Sequence, residues 1–208
     1  MKKTIFAFAA FLTALTIACS GPKEKIFTIG EDSRILGLHA PWDGLEDNTV
    51  FGCFAGEDYF YFYYDVIDPT ITLKDGFKEE KDVEPEDRVE IFFSPRPEMD
   101  IYYCAEIDPE GRVLDYSSKY YREMDYGWNF STMDLFSMIT EKGYLIAGRV
   151  SKEELRSLGL DLEGGFSMGV FRADFREDGS VNWYSAIPSD DKAPDFHKPD
   201  MLFRAKMP

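Results

Sequence analysis

Hydrophobic and polar residues alternate with a period of two through most of this chain. Residues 58–68 ("DYFYFYYDVID"), 88–93 ("RVEIFF"), 101–108 ("IYYCAEID"), 143–150 ("GYLIAGRV") and 166–175 ("FSMGVFRADF") are aromatic and β-branched runs bounded by Gly, Pro and Asp. Runs of that length and period predict strands, because successive side chains leave a strand on opposite faces. "DPEGRV" (108–113) and "REDGSV" (176–181) carry the turn residues of hairpins. A helical pattern appears in "SKEELRSLG" (151–159): Ser151 and Glu154 have capping-box spacing, Leu155 and Leu158 share a face, and Gly159 ends the turn. Many strands with one short helix predict an all-β fold, an antiparallel β-sandwich of jelly-roll or immunoglobulin-like type.

Alternation also sorts the faces. Val89, Ile91 and Phe93 point one way, and Arg88, Glu90 and Phe92 the other. Tyr103, Ala105 and Ile107 share one face of the next run, with Tyr102, Cys104, Glu106 and Asp108 opposite. The expectation is an apolar inner face and an outer face that mixes carboxylates with aromatics, on which a sugar can lie. The tyrosines of "YFYFYY" also have a plain reading as cross-strand pairs.

The first residues depart from this pattern. Lys2 and Lys3 precede an apolar run from Ile5 to Ile17 and then Cys19, an export signal that is short for a bilayer span. "LTIAC" resembles the lipobox of bacterial lipoproteins. That resemblance implies a signal peptide over 1–18, a lipidated Cys19 and tether over 19–25, and a single domain over 26–208. The chain is then expected in the bacterial cell envelope, on the periplasmic or surface face of the outer membrane, touching the membrane by its lipid anchor only. Ordinary cleavage without lipid is the alternative.

Charge narrows the partners. Loss of Lys2 and Lys3 takes the formal charge from −16 to −18, which excludes the counterion replacement that nucleic-acid binding needs and disfavours acidic polysaccharides. A neutral ligand fits best. Cys53 and Cys104 both lie in strand-like runs and read as two buried free thiols or as a disulfide, and no cysteine spacing of metal type occurs. The acidic runs "EEKDVEPED" and "SDD" are solvated loops or oxygen donors for calcium, without the regular spacing of a calcium loop.

Seven pieces in order, "YFYFYYDVIDP", "EDRVEIFFS", "YYCAEIDPEGRVLDY", "GYLIAGRVSKEEL", "FRADF", "NWYSAIP" and "FHKPDMLF", resemble the family 9 carbohydrate-binding modules over residues 48–203. The resemblance implies a sandwich that binds sugars without cleaving them, closed by a strand after the "FHKP" loop. It implies an aromatic wall at Phe196 and sugar contacts at Glu90, Glu106 and Asp108. Where the family has a second aromatic wall, this chain has Glu84.

The remaining candidates follow from chemistry. An aromatic ring packs on the C–H face of a pyranose, while acidic groups take its hydroxyls. Trp42 in "HAPWDG" and Trp128 in "DYGWNF" lie in turn-like sequence, as sugar platforms or as plugs of the sandwich ends; Trp183 in "VNWYS" reads as core or platform. Arg172 is expected to meet Glu90 or Glu106 across the sheet, because a lone buried guanidinium is costly. His197 is open between fixing its loop, touching sugar and ligating a metal or haem. No nucleophile elbow, zinc motif, P-loop or dinucleotide fingerprint occurs.

Together these features predict a non-catalytic, lipid-anchored protein that captures neutral glycan or oligosaccharide, serving glycan-degrading or uptake proteins. Two alternatives stand beside it: a b-type haem electron-transfer sandwich using His39, His197 and methionine, and a structural or protein-binding lipoprotein that has lost sugar binding.

Overall fold

The computed structural model describes residues 26–42 and 44–208; the export signal, Cys19 and the tether lie outside the described residues. Strands occur where the two-residue period predicts them. In chain order they are β1 (Phe27–Thr28), β2 (Ser33–Ala40), β3 (Leu45–Ala55), β4 (Tyr59–Ile67), β5 (Arg88–Ser94), β6 (Tyr102–Ile107) and β7 (Val113–Lys119). There follow β8 (Glu123–Asp125), β9 (Asp134–Thr140), β10 (Gly143–Ser151), β11 (Phe166–Phe175), β12 (Val181–Ser185) and β13 (Phe203–Lys206). Antiparallel neighbours run in the order β8-β7-β6-β5-β11-β12-β2-β3-β4-β10-β9, and β13 pairs with β11 and, in parallel, with β1.

The link between β12 and β2 is the single pair Ser185–His39, and at that hinge the ladder folds over into two facing layers. Phe60 of β4 meets Phe93 of β5 edge to face at 5.8 Å, and the Tyr64 hydroxyl donates across the layers to the Glu90 carbonyl at 2.7 Å. The architecture is an antiparallel β-sandwich. Val89, Ile91, Phe93, Tyr103, Ala105 and Ile107 all enter the core between the layers, as alternation predicts. Each large side chain buried there contributes about 1.5–3 kcal/mol.

The short helix α1 (Lys152–Ser157) is capped by Ser151, whose hydroxyl accepts from the Glu154 amide at 3.0 Å. Glu154 does not complete a capping box. Its carboxylate accepts from the Ser131 amide at 2.6 Å and the Thr132 amide at 2.9 Å, tying a distant loop to the helix. No helix among the described residues is long and apolar enough to cross a membrane. Cys53 and Cys104 are both buried and free; one lies in the core between the layers and the other on the outer side of β6, so the thiol reading is the correct one.

The outer side of the β7-β6-β5-β11 layer carries a second, smaller core. Phe92, Tyr102, Tyr116, Phe171, Phe196 and Met201 pack there, where the segment before β13 returns over the sheet. β5 and β6 are therefore buried on both faces. Polar residues on their outer face either face a cavity or need partners in the protein.

Candidate functional site

A cavity of about 310 Å³ opens at the edge of this second core. Its floor is built by strand register. Glu90 on β5 stands directly opposite Glu106 on β6, and like charges so placed repel. Arg88, two residues from Glu90 on the same face, answers that repulsion: its Nε lies 2.9 Å from Glu90 Oε1 and 2.7 Å from Glu106 Oε2. Tyr116 donates its hydroxyl to Glu106 Oε1 at 2.8 Å. Glu106 Oε2, although close to Arg88, is buried without an aligned hydrogen bond.

Burial, followed by the charge of Glu106, pushes the Glu90 carboxyl up to about 8. Burial opposes the charge on Arg88, but Glu106 and Glu90 outweigh it and hold the guanidinium above its ordinary value. One buried cation thus sits between two facing carboxyl groups.

The "DFHKP" loop forms one wall and is pinned through Asp195. This carboxylate accepts from Arg122 Nη2 at 2.8 Å, the Tyr121 hydroxyl at 2.6 Å and the His197 amide at 3.1 Å. Burial opposes ionisation of Asp195, yet the bonds from Tyr121 and Arg122 prevail and lower its pKa. His197 shares a 3.0 Å hydrogen bond between Nδ1 and the Tyr102 hydroxyl. Burial, then the Arg122 charge, pushes its imidazole down to about 3. The histidine fixes its loop and faces the cavity as a neutral ring.

Aromatic rings complete the enclosure. Trp183 on β12 lies with its ring centroid 5.5 Å from the Arg88 guanidinium. Tyr126 packs on Tyr116 at 5.3 Å and lines the cavity beside Glu84. Both rings are only partly buried. Phe196 also lines the cavity but is 4% exposed, one face stacked on Phe171 at 4.3 Å and 12°. Its main packing role is to hold the loop on the sheet.

The structure therefore brings together Glu90, Glu106, Trp183, Phe196 and His197. Four other expected sites lie elsewhere. Arg172 does not meet Glu90 or Glu106: Phe171 is the residue paired with Glu90 across β11 and β5, so Arg172 takes the opposite, inward face and binds Asp47 at 2.9 Å and Asp68 at 2.6 Å. Asp108 is sealed in its hairpin, accepting from the Glu110 amide at 2.8 Å and the Arg112 amide at 3.0 Å. Trp128 packs on Tyr103 at 4.9 Å and Phe130 at 4.7 Å, beside the inner core. Trp42 braces Phe196 at 5.9 Å but does not line the cavity.

Sequence reasoning missed Arg88, Tyr116, Arg122, Tyr126 and Asp195 as site residues. Arg88 and Tyr116 carried a signal, since a two-residue offset or a neighbouring strand shares the outer face. The Arg122–Asp195 pair spans 73 residues and leaves no local pattern.

The calcium expectation meets a specific place. Asp87, the last residue of "EEKDVEPED", groups with Asp68 and Asp174 so that one oxygen of each lies within 4.8 Å of the others. Oxygens about 2.4 Å from a calcium ion are at most that far apart. Asp87 accepts from the Thr72 and Phe175 amides, at 2.7 and 2.6 Å, and Asp174 Oδ1 is buried without a hydrogen bond, 3.8 Å from Arg172 Nη2. Among the described residues these three carboxylates lie close enough to share a hard cation, and Arg172 at 2.6 Å from Asp68 and Arg176 at 2.5 Å from Asp174 already supply positive charge there.

Neither a family profile nor a curated protein matches the sequence. Solved structures do. A Bacteroides uniformis protein named for carbohydrate binding superposes with a TM-score of 0.63 at 14% identity, over 88% of this chain and 97% of the other. A family 9 carbohydrate-binding module from Caldicellulosiruptor kristjanssonii in complex with glucose gives 0.57 at 10% identity, over 88% and 96%. The module from that organism in complex with cellotriose gives 0.58 at 10% identity, over 88% and 93%. The fold is that of a family 9 carbohydrate-binding module. At these identities the likeness to such modules concerns architecture, and the side chains of the cavity are this chain's own.

Proposed function

We propose that this protein is a non-catalytic carbohydrate-binding lipoprotein of the bacterial envelope, and that the cavity above Arg88, Glu90 and Glu106 is its sugar site. The observation that carries the reading is the pairing of partly open aromatic rings, Trp183 and Tyr126, with buried and oriented polar groups in one cavity on this fold. A pyranose needs both: a ring face for its C–H groups, and fixed acceptors and donors for its hydroxyls, since an unpaired buried hydroxyl costs about 1–3 kcal/mol. Glu106 supplies acceptors, Arg88 donors, and Glu90 either, according to its proton. The volume suits one or two sugar units. The resemblance of the leader to a lipobox supports anchoring at Cys19, with captured oligosaccharide passed to degrading or uptake proteins.

The test is a glycan titration of the purified protein beside Trp183→Ala and Tyr126→Ala. Affinity falling by at least about tenfold in both supports this site. A glycan that binds wild type and both variants alike places the site elsewhere, and a chain that binds no glycan in a broad panel has lost the function.

A further inference from the structure

The cavity's charges do not balance. Four carboxyl groups, Glu84, Glu90, Glu106 and Asp195, line it with two guanidinium groups, Arg88 and Arg122. Arg122 and Asp195 are engaged with each other at 2.8 Å. Arg88 is shared between Glu90 and Glu106; near pH 6 Glu90 keeps its proton, so Arg88 offsets Glu106 and the charge left over is that of Glu84. Glu84 is exposed at the rim and makes no ion pair among the described residues; its Oε1 lies 3.5 Å from the Tyr126 hydroxyl. The nearby ammonium of Lys81 sits over the Tyr126 ring at 3.8 Å and does not line the cavity. His197, held neutral by burial, adds no positive charge.

Two further features favour a positive guest. Glu106 Oε2, buried in the cavity wall 2.7 Å from Arg88 Nε and without an aligned hydrogen bond, keeps negative potential directed at the cavity. The rings of Tyr126 and Trp183 already draw protein cations, Lys81 at 3.8 Å and Arg88 at 5.5 Å from their centroids, an attraction that a positive guest beside them would share. Carboxylates in excess beside aromatic walls form a cation receptor, and the acidic chain strengthens its field at long range.

Resting on the sugar-binding reading, we infer that the preferred ligand carries a positive charge: an amino sugar with a free ammonium group, alone or within a partly deacetylated glycan. Glu84 pairs with the ammonium at the rim, while Glu106 and Arg88 hold the hydroxyls below.

Glucosamine, N-acetylglucosamine and glucose titrated calorimetrically into the purified protein near pH 6 test this, with a chitosan oligomer and cellotriose as longer probes. Glucosamine should bind at least about tenfold more tightly than both neutral monosaccharides, and the advantage should shrink in high salt. Glu84→Gln, at an exposed position that does not threaten folding, should erase most of that advantage. Neutral sugars binding as well as glucosamine would overturn the charge preference and leave the sugar site standing. Absence of binding by all five probes would overturn both.

Discussion

Two arginines in this sandwich face the same electrostatic problem in different surroundings. Arg88 lies between Glu90 and Glu106 at the cavity floor; Arg172 lies between Asp47 and Asp68, sealed between the layers. Both guanidinium groups are almost fully buried, and both are outnumbered by carboxylates. The difference is access. Around Arg88 the missing charge can be supplied by a proton on Glu90 or by a ligand entering the cavity. Around Arg172 it must come from within: Arg176 reaches Asp174 at 2.5 Å, and the Asp68–Asp87–Asp174 grouping has room for a cation. A buried ion cluster open to a cavity is a recognition element, and the same cluster closed off is a structural one.

Removing each arginine in turn separates the two environments most strongly. Arg172→Met leaves Asp47 and Asp68 buried without their cation and should cost about 3–5 kcal/mol, read from urea denaturation, while the remaining folded protein binds glycan normally. Arg88→Met should lose less stability, since water entering the cavity can solvate Glu90 and Glu106, but should abolish glycan binding. Equal stability losses in the two variants would mean that the cavity gives no relief.

Calcium tests whether the closed cluster holds a cation. Added to chelator-treated protein at well above its dissociation constant, it should raise Tm by roughly 5–10 °C, and Asp87→Asn should remove the rise. A Tm indifferent to calcium would make the grouping a closed ion-pair network completed by Arg172 and Arg176.

What the sequence disclosed follows from the range of the forces involved. Strand runs and faces were legible because alternation is local: Val89, Ile91 and Phe93 inward, Arg88, Glu90 and Phe92 outward. The turn at Gly111 and the Ser151 cap were legible for the same reason. The partner of Arg172 was not, because its facing depends on which residue of β11 sits opposite Glu90, a register set by tertiary packing. Nor could sequence decide which aromatic stays open. Phe196 looks like an exposed loop residue, yet Phe171, Trp183 and Trp42, from three other parts of the chain, close around it. Trp183, in a strand that reads as core, keeps an open side because the sheet's outer face is only partly roofed.

The open cluster should also respond to pH. Glu90 titrates near 8 in the folded protein against an ordinary 4.5, so the native state keeps its proton longer than the unfolded chain. Its contribution is fully present below about pH 4.5 and is lost as pH rises through about 8, above which it levels off. Glu90→Gln should flatten that decline in urea midpoints taken at several pH values. An unchanged slope would mean that Glu90 does not hold its proton in the folded protein.

The smallest effect is expected at Trp128, which separates an aromatic that looks available from one that is. It leans on Tyr103 and Phe130, and Tyr103 points from β6 to the face opposite Tyr102 and Glu106. A ring placed there supports the inner core and cannot reach a sugar resting on Glu106. Trp128→Phe keeps an aromatic body in the gap, so the stability loss should be about 1 kcal/mol and glycan affinity should stay within about twofold of wild type. A larger loss of affinity, with stability preserved, would show that bound glycan extends over the edge of β6 toward Trp128, and that the cavity is one end of a longer binding track.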